Sequence, residues 1–234
     1  MIIATNVNKS FGKIKVLDNV SLTLNKGQAI SLIGPNGSGK TTFIKCLLGM
    51  VVPDAGFITF NLQNILKDWR YRSQIGYMPQ IGRYPDNMTI GQTIGMMKDL
   101  RKRMNNVTDD ELFYAFGLDK IQDKRMRTLS GGTRQKVSAT LAFLFTPDVL
   151  ILDEPTAGLD PLASEILKQK ILKEKNKGKL ILITSHILSD LDDIISEIVY
   201  LQDGKLQFHK TIEDLKRETG QDKLSSAIAQ VMKN

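Results

Sequence analysis

Residues 34–42 read Gly-Pro-Asn-Gly-Ser-Gly-Lys-Thr-Thr, directly after the apolar run Ala29–Ile33 and at the start of a helical stretch from about Lys40 to Gly49. Few architectures accept a strand that breaks into glycines and restarts as a helix. A parallel α/β sheet does, with the loop at its carboxyl edge. The glycines let the chain wrap closely, so that consecutive backbone N–H groups and the amino end of the helix aim at one point, which suits a phosphate. Gly34, Asn36, Gly37, Ser38, Gly39 and Thr42 are candidates for holding it; Lys40 adds a mobile positive charge, and the Thr41 hydroxyl is placed to ligate Mg²⁺.

The rest of the chain fits that architecture. Ile2–Val7 reads as a strand, and Val20–Leu24 alternates apolar and polar residues as a half-buried strand does. Pro53-Asp-Ala-Gly56 is a turn signal followed by a strand, Phe57–Phe60. From about Gly82 to Leu129 the spacing becomes helical, with one stretch over Thr89–Met104 and another opened by Thr108 and the acids Asp109, Asp110 and Glu111. Val149–Leu152 and Leu180–Ile183 are continuous enough to be buried parallel strands, and Asp160-Pro161 between them starts a helix with a capping side chain and Pro at the first position. Glu197–Leu201 and Lys205–Phe208 predict a hairpin turning at Asp203-Gly204, and Ile212–Met232 a helical tail broken at Gly220. The expected organisation is one α/β domain over residues 1–234 with an antiparallel β part, an all-helical insert at 82–129 and a tail at 210–234.

Two carboxylates follow the Val149–Leu152 run. Asp153 is expected at the carboxyl edge beside the phosphate loop, holding Mg²⁺ largely through water, and Glu154 is the better candidate for polarising an attacking water.

Composition narrows the field less than the motifs do. The net charge of +7 permits contact with an anionic membrane face or a nucleic acid, yet the basic residues are scattered apart from Arg101-Lys102-Arg103. No apolar run reaches the eighteen or so residues that span a bilayer, and the first residues lack the order of a signal peptide, so the chain is expected to stay in the compartment where it is made. The lone Cys46 is expected as a passive core thiol, and the nine methionines as adaptable packing, since no Cys/His cluster accompanies them.

Taken together, the motifs resemble those of the ATP-binding cassette family over nearly the whole chain. Gly34–Thr42 is similar to its phosphate loop, Gln80 to its Q-loop glutamine, Leu129-Ser-Gly-Gly-Thr-Arg-Gln135 to its signature and Leu150–Pro155 to its second nucleotide motif. Ala157–Asp160 resembles its D-loop and Thr184-Ser-His186 its switch histidine. The resemblance implies the P-loop NTPase fold and an ATPase using ATP and Mg²⁺. Phe11 would stack on adenine where many members place Tyr, and Gln80 would ligate Mg²⁺ and report its state to the insert. His186 would hold the γ-phosphate and position Glu154 and the water. Ser130, Gly131 and Gly132 would bind the γ-phosphate across a dimer interface, with Asp160 in the D-loop alongside. Thr133 departs from the family's usual Gln. Val137, Leu141, Leu144 and Phe145 make the apolar stripe expected to anchor the signature helix.

Among family members, the chain resembles a free-standing, export-type ATPase subunit of a transporter, on the cytoplasmic face through a separate membrane protein and paired with a second copy. Gly82–Met88 and Arg125–Thr128 are the candidate docking segments. Nucleic acid is not expected as a partner, although a regulatory or nucleic-acid-associated cassette is the alternative reading. Tyr77–Pro85 and Ser130–Lys136 further resemble ATPase subunits of the nitrous-oxide-reductase maturation transporter (the NosF group), which support copper-site assembly outside the cytoplasm.

Overall fold

The computed structural model describes residues 1–101, 107–184 and 193–231. A six-stranded sheet forms the centre, in the order β10-β9-β3-β8-β7-β6. Its strands are β3 (Ala29–Ile33), β6 (Ile75–Met78), β7 (Val149–Asp153), β8 (Leu180–Thr184), β9 (Glu197–Gln202) and β10 (Lys205–Thr211). All neighbours run parallel except the edge hairpin β9–β10. β3, β7 and β8 are buried at every residue, which is why their sequences are continuous apolar runs and not alternating ones.

A second, antiparallel sheet has the order β2-β1-β4-β5, from β1 (Ile2–Phe11), β2 (Ile14–Leu24), β4 (Ala55–Phe60) and β5 (Gln63–Asn64). β1 runs four residues beyond the expected Val7. Register shifts after Ala4, with Asn6 at φ 48°, interrupt the alternation there, so the sequence pattern stops before the strand does. The inner faces of the two sheets close over α1 (Lys40–Leu47), burying Val7, Leu17, Phe43, Ile44, Leu47 and Ile58 among others. Cys46 sits in that core, and burial pushes its thiol up to about 11, so it is inert.

The opposite face of the central sheet is covered by α5 (Pro161–Asn176) and by the tail helices α6 (Ile212–Thr219) and α7 (Leu224–Val231), through Leu167, Ile171, Leu215, Leu224 and Ile228. The tail break falls at Gly220, which ends α6 in a left-handed conformation. Among the described residues no helix is long and apolar enough to cross a membrane.

Between β6 and β7 lie α2 (Ile90–Arg101), the short α3 (Glu111–Ala115), two 3-10 turns and α4 (Gly131–Phe143). Among the described residues the segment holds these helices, the loops between them and one isolated antiparallel bridge, Thr89 to Arg125. Its core is small: Ile90, Ile94, Leu118, Met126, Leu129, Val137, Leu144 and Phe145, with Leu141 partly buried. A polar clamp supplements it. Lys170 of α5, 2% exposed, reaches Asp109 at 2.5 Å and Glu111 at 2.7 Å across the gap to the insert, and Glu174 at 3.3 Å on its own helix. Burial alone would raise the Glu174 carboxyl, but Lys177, Lys179 and Lys170 hold it down to about 2.

Lys170→Met takes the lysine from Asp109, 18% exposed, while Glu111 keeps Lys173 and Glu174 keeps Lys177 and Lys179, so it is expected to cost about 1–3 kcal/mol by chemical denaturation. The depressed Glu174 carboxyl contributes fully above its ordinary value of 4.5 and is lost as pH falls toward 2. Denaturation midpoints measured across that window should therefore drop more steeply for the parent chain than for Glu174→Gln.

Candidate functional site

Thr184 sets the frame of the site. It pairs in register with Leu32 of β3 on one side and Asp153 of β7 on the other, so the loops leaving both strands open at one edge of the sheet. Between them lies a cleft of about 210 Å³, lined by Val16, Asn36 to Thr42, Gln80, Asp153 and Glu154.

The loop wall is built for an anion. Gly39 precedes α1 at φ 100°, and a Cβ there would lie 2.6 Å from the carbonyl oxygen of Val16, so no other residue lets the loop close onto β2. The Ser38 hydroxyl is buried with no hydrogen-bond partner among the described residues, a donor that a phosphate oxygen would satisfy. Lys40 donates to the carbonyls of Gly34 at 2.7 Å and Pro35 at 3.0 Å, which keeps its ammonium at the loop mouth. Burial lowers its pKa, against the opposing pull of Glu154 and Asp153. The β9–β10 turn braces the loop from outside, since Gly204 N–H donates to the Ser38 carbonyl at 3.2 Å.

The carboxylate wall is held by hydrogen bonds. Asp153 is buried and accepts from the Thr184 hydroxyl. Glu154 stands at φ 52°, a conformation that costs a non-glycine residue of order 1 kcal/mol. Its N–H donates to the carbonyl and hydroxyl oxygens of Thr184, both at 3.1 Å, and its carbonyl accepts from Ala157 N–H at 3.1 Å and from the buried Gln135 amide at 3.4 Å. Thr41, Gln80 and Asp153 offer a hydroxyl, an amide oxygen and a carboxylate at the mouth of the loop, the hard oxygen donors that Mg²⁺ takes beside phosphate oxygens.

Ser130, Gly131 and Gly132 are not brought to this cleft. They form the amino end of α4, where Ser130 is the N-cap, its oxygen accepting from Thr133 N–H at 3.2 Å and lying 2.9 Å from the Thr133 hydroxyl. Ser130 and Gly131 are exposed. Asp160 caps α5 through Ala163 N–H at 2.9 Å and pairs with Lys136 at 2.7 Å, which, with the cap, holds its carboxyl low. Phe11 ends β1 half exposed, with Lys9 Nζ 5.4 Å from its ring centre, outside the lining of the cleft. His186 lies outside the described residues.

The residue model of the ABC transporter family matches positions 17–157, which is more than half of the chain and includes every residue lining the cleft except Val16. The chain belongs to the ABC transporter family. As an ATP-binding cassette it is an ATPase that takes ATP with Mg²⁺. It is 34% identical over 210 residues to the lipopolysaccharide export system ATP-binding protein LptB of Haemophilus influenzae, covering 87% of each chain. It is also 31% identical to the Nod factor export ATP-binding protein I of Ralstonia nicotianae, over 92% of this chain and 69% of that protein. A solved ATP-binding subunit of an ABC transporter superposes over 99% of both chains with a TM-score of 0.90 at 27% identity.

The cassette's signature helix is tied to the carboxylate wall by three contacts that the motifs alone did not reveal: Gln135 to the Glu154 carbonyl, Lys136 to Asp160, and Gly132 against Gly158. A Cβ on Gly132 would lie 2.7 Å from the Gly158 carbonyl oxygen. Only the spacing of Gln135 within the signature hinted at a role. Gln135→Met keeps the volume and removes the donor to a strained backbone. It is expected to lower kcat by about tenfold to a hundredfold with little change in KM, read from steady-state ATPase assays.

Proposed function

We propose that this cassette is the motor of an export-type ABC transporter, working as a head-to-tail pair of identical copies that closes around two Mg-ATP. The observation that supports it is the separation of two half-sites on one chain. The cleft gathers the loop, Gln80, Asp153 and Glu154, while Ser130 and Gly131 stand elsewhere, exposed at the amino end of α4. A second copy related by a two-fold axis would bring each signature to the other's cleft.

In this reading Gly34, Asn36, Gly37, Ser38, Gly39, Lys40, Thr41 and Thr42 bind the nucleotide's phosphates, and Phe11 meets the adenine. Glu154 accepts a proton from the attacking water, and His186 orients it. Ser130, Gly131 and Gly132 of the opposite copy meet the γ-phosphate through a hydroxyl, N–H groups and the α4 dipole. Bound Mg²⁺, held by Thr41, Gln80 and Asp153, would neutralise charge on the phosphate oxygens. Binding both halves only when closed is what lets ATP shift the open–closed equilibrium.

The membrane subunit is proposed to dock where Gly82–Met88 and Arg125–Thr128 meet. Met126 N–H donates to the Met88 carbonyl at 2.9 Å and Arg127 N–H to that of Asp86 at 3.2 Å, so the two segments form one surface. Beside it an apolar groove of about 310 Å³ opens between β6, α2 and α4, lined by Met50, Tyr77, Tyr84, Met97, Leu141 and Phe145 among others. Through that partner the cassette would sit on the cytoplasmic face of the membrane. The narrower kinship with the nitrous-oxide-reductase maturation transporter has only Tyr77–Pro85 and Ser130–Lys136 in its favour, and the relatives found bear the names of other cargoes.

Glu154→Gln is expected to lower ATP turnover by about a hundredfold or more and to accumulate ATP-bound dimers, measured by turnover and by light scattering. A variant that stays monomeric in saturating Mg-ATP would overturn the paired mechanism.

A further inference from the structure

The β4–β5 turn carries a residue that folding does not explain. Asn61 and Leu62 link Phe60 to Gln63 at φ 47° and 68°, the two-residue hairpin geometry that calls for Asn, Asp or Gly at both positions. Asn61 fits, and its side-chain oxygen accepts from the chain's amino terminus at 2.9 Å. Leu62 does not. It holds a left-handed backbone that disfavours a branched side chain, and that side chain gains no packing, being 77% exposed.

Two further apolar side chains stand out to solvent within the next seven residues, Leu66 at 53% and Trp69 at 62% exposure. Phe57 shares a shallow depression with Leu62 and Lys67. Interleaved with them are Lys67, Arg70 and Arg72, against one acid, Asp68, which is paired with Arg70 at 3.0 Å. Lys67 makes no ion pair among the described residues, and Arg72 makes none either: its guanidinium donates to the Gly49 carbonyl at 3.0 Å and meets Tyr71 through the ring and the hydroxyl. Isolated apolar side chains projecting from a turn, an exposed tryptophan and an excess of basic residues between them fit the headgroup region of an anionic bilayer, where Trp and Leu enter the boundary and Lys and Arg meet lipid phosphates.

We infer that residues 57–72 form a surface that contacts an anionic lipid membrane directly, with Leu62, Leu66 and Trp69 as its inserted side chains. This contact is separate from docking on a membrane protein and does not require the transporter reading. Trp69 is the chain's only tryptophan, so its fluorescence reports the surface without labelling.

The test titrates the whole chain with phosphatidylglycerol vesicles and, separately, phosphatidylcholine vesicles, following Trp69 emission and co-sedimentation. Expected are a shift to shorter wavelength and sedimentation with phosphatidylglycerol, weakened by salt and absent with phosphatidylcholine. Leu62→Asn, which suits the turn, should keep or raise folding stability and leave ATP turnover unchanged while weakening vesicle partition about tenfold, the effect of losing one buried leucine. Lys67→Glu should weaken it as well. The proposal is overturned by unchanged emission on phosphatidylglycerol, by Leu62→Asn binding as tightly as the parent, or by a shift that depends on protein concentration without vesicles, which would mark a contact between copies. Failure of Glu154→Gln to dimerise would leave this result untouched, so the two readings fail separately.

Discussion

Everything at the cleft depends on one strand lying between two others. β8 is hydrogen-bonded to β3 on one side and β7 on the other, so the phosphate loop and the Asp153-Glu154 pair leave the sheet at the same level, one strand apart. Parallel pairing with every position buried fixes that level. A slip by one residue would turn buried apolar side chains of Leu180–Thr184 to the wrong face. The Thr184 side chain then bonds both acidic residues' surroundings, the Asp153 carboxylate directly and the Glu154 backbone through its hydroxyl. The sheet therefore does more than carry the loops: through Thr184 it holds the Glu154 backbone at its φ of 52°.

The second dependency runs through α4. One face of this helix, with Ala139, Ala142 and Phe143, belongs to the core over the central sheet, and another, with Val137, packs into the core of the insert beside Leu144 and Phe145. Its first turns touch the 154–160 segment. A helix anchored on two cores cannot move its amino end without disturbing one of them, and interiors packed this closely transmit displacement. In the paired reading, Ser130 of one chain and Glu154 of the same chain serve different nucleotides, so the Gln135 amide links the two sites within a single polypeptide.

What was legible in the sequence was local. The bounds of β3 were read without error, and those of β8 to within one residue, because their apolar runs end at loops; the phosphate loop, the Asp160-Pro161 helix start and the Asp203-Gly204 turn each carry their geometry in neighbouring residues. Ile75-Gly-Tyr-Met78 is too short and too mixed to signal a strand, and β6 forms there only because β7 lies beside it. The 3-10 turn Trp69–Gln74 likewise carries no helical apolar spacing in its sequence, only the cap at Asp68. At the site, contacts across large sequence separations were invisible: Thr184 to Asp153, Gln135 to Glu154, and the Lys170 clamp to Asp109 and Glu111. The expected helix to Met104 is described only as far as Arg101.

The departure at Thr133 shows how a changed residue can keep a motif's geometry by different means. A glutamine at the third helical position after a serine cap would reach back to the cap's own N–H, closing a reciprocal box. Threonine is too short for that. Its backbone N–H still donates to Ser130, so the cap survives, and its hydroxyl lies 2.9 Å from the Ser130 oxygen. The Ser130 hydroxyl therefore gains a partner within its own chain. An incoming phosphate oxygen competes with that partner only if Ser130 donates to Thr133. If Thr133 donates instead, the Ser130 proton is left to point outward, toward the exposed side of the helix start where a nucleotide on a second copy would lie. Thr133→Val separates the two arrangements. It should tighten ATP-driven dimerisation if the threonine competes for the serine proton and weaken it if the threonine orients that proton, as read from the ATP concentration at half-maximal dimer in the Glu154→Gln background.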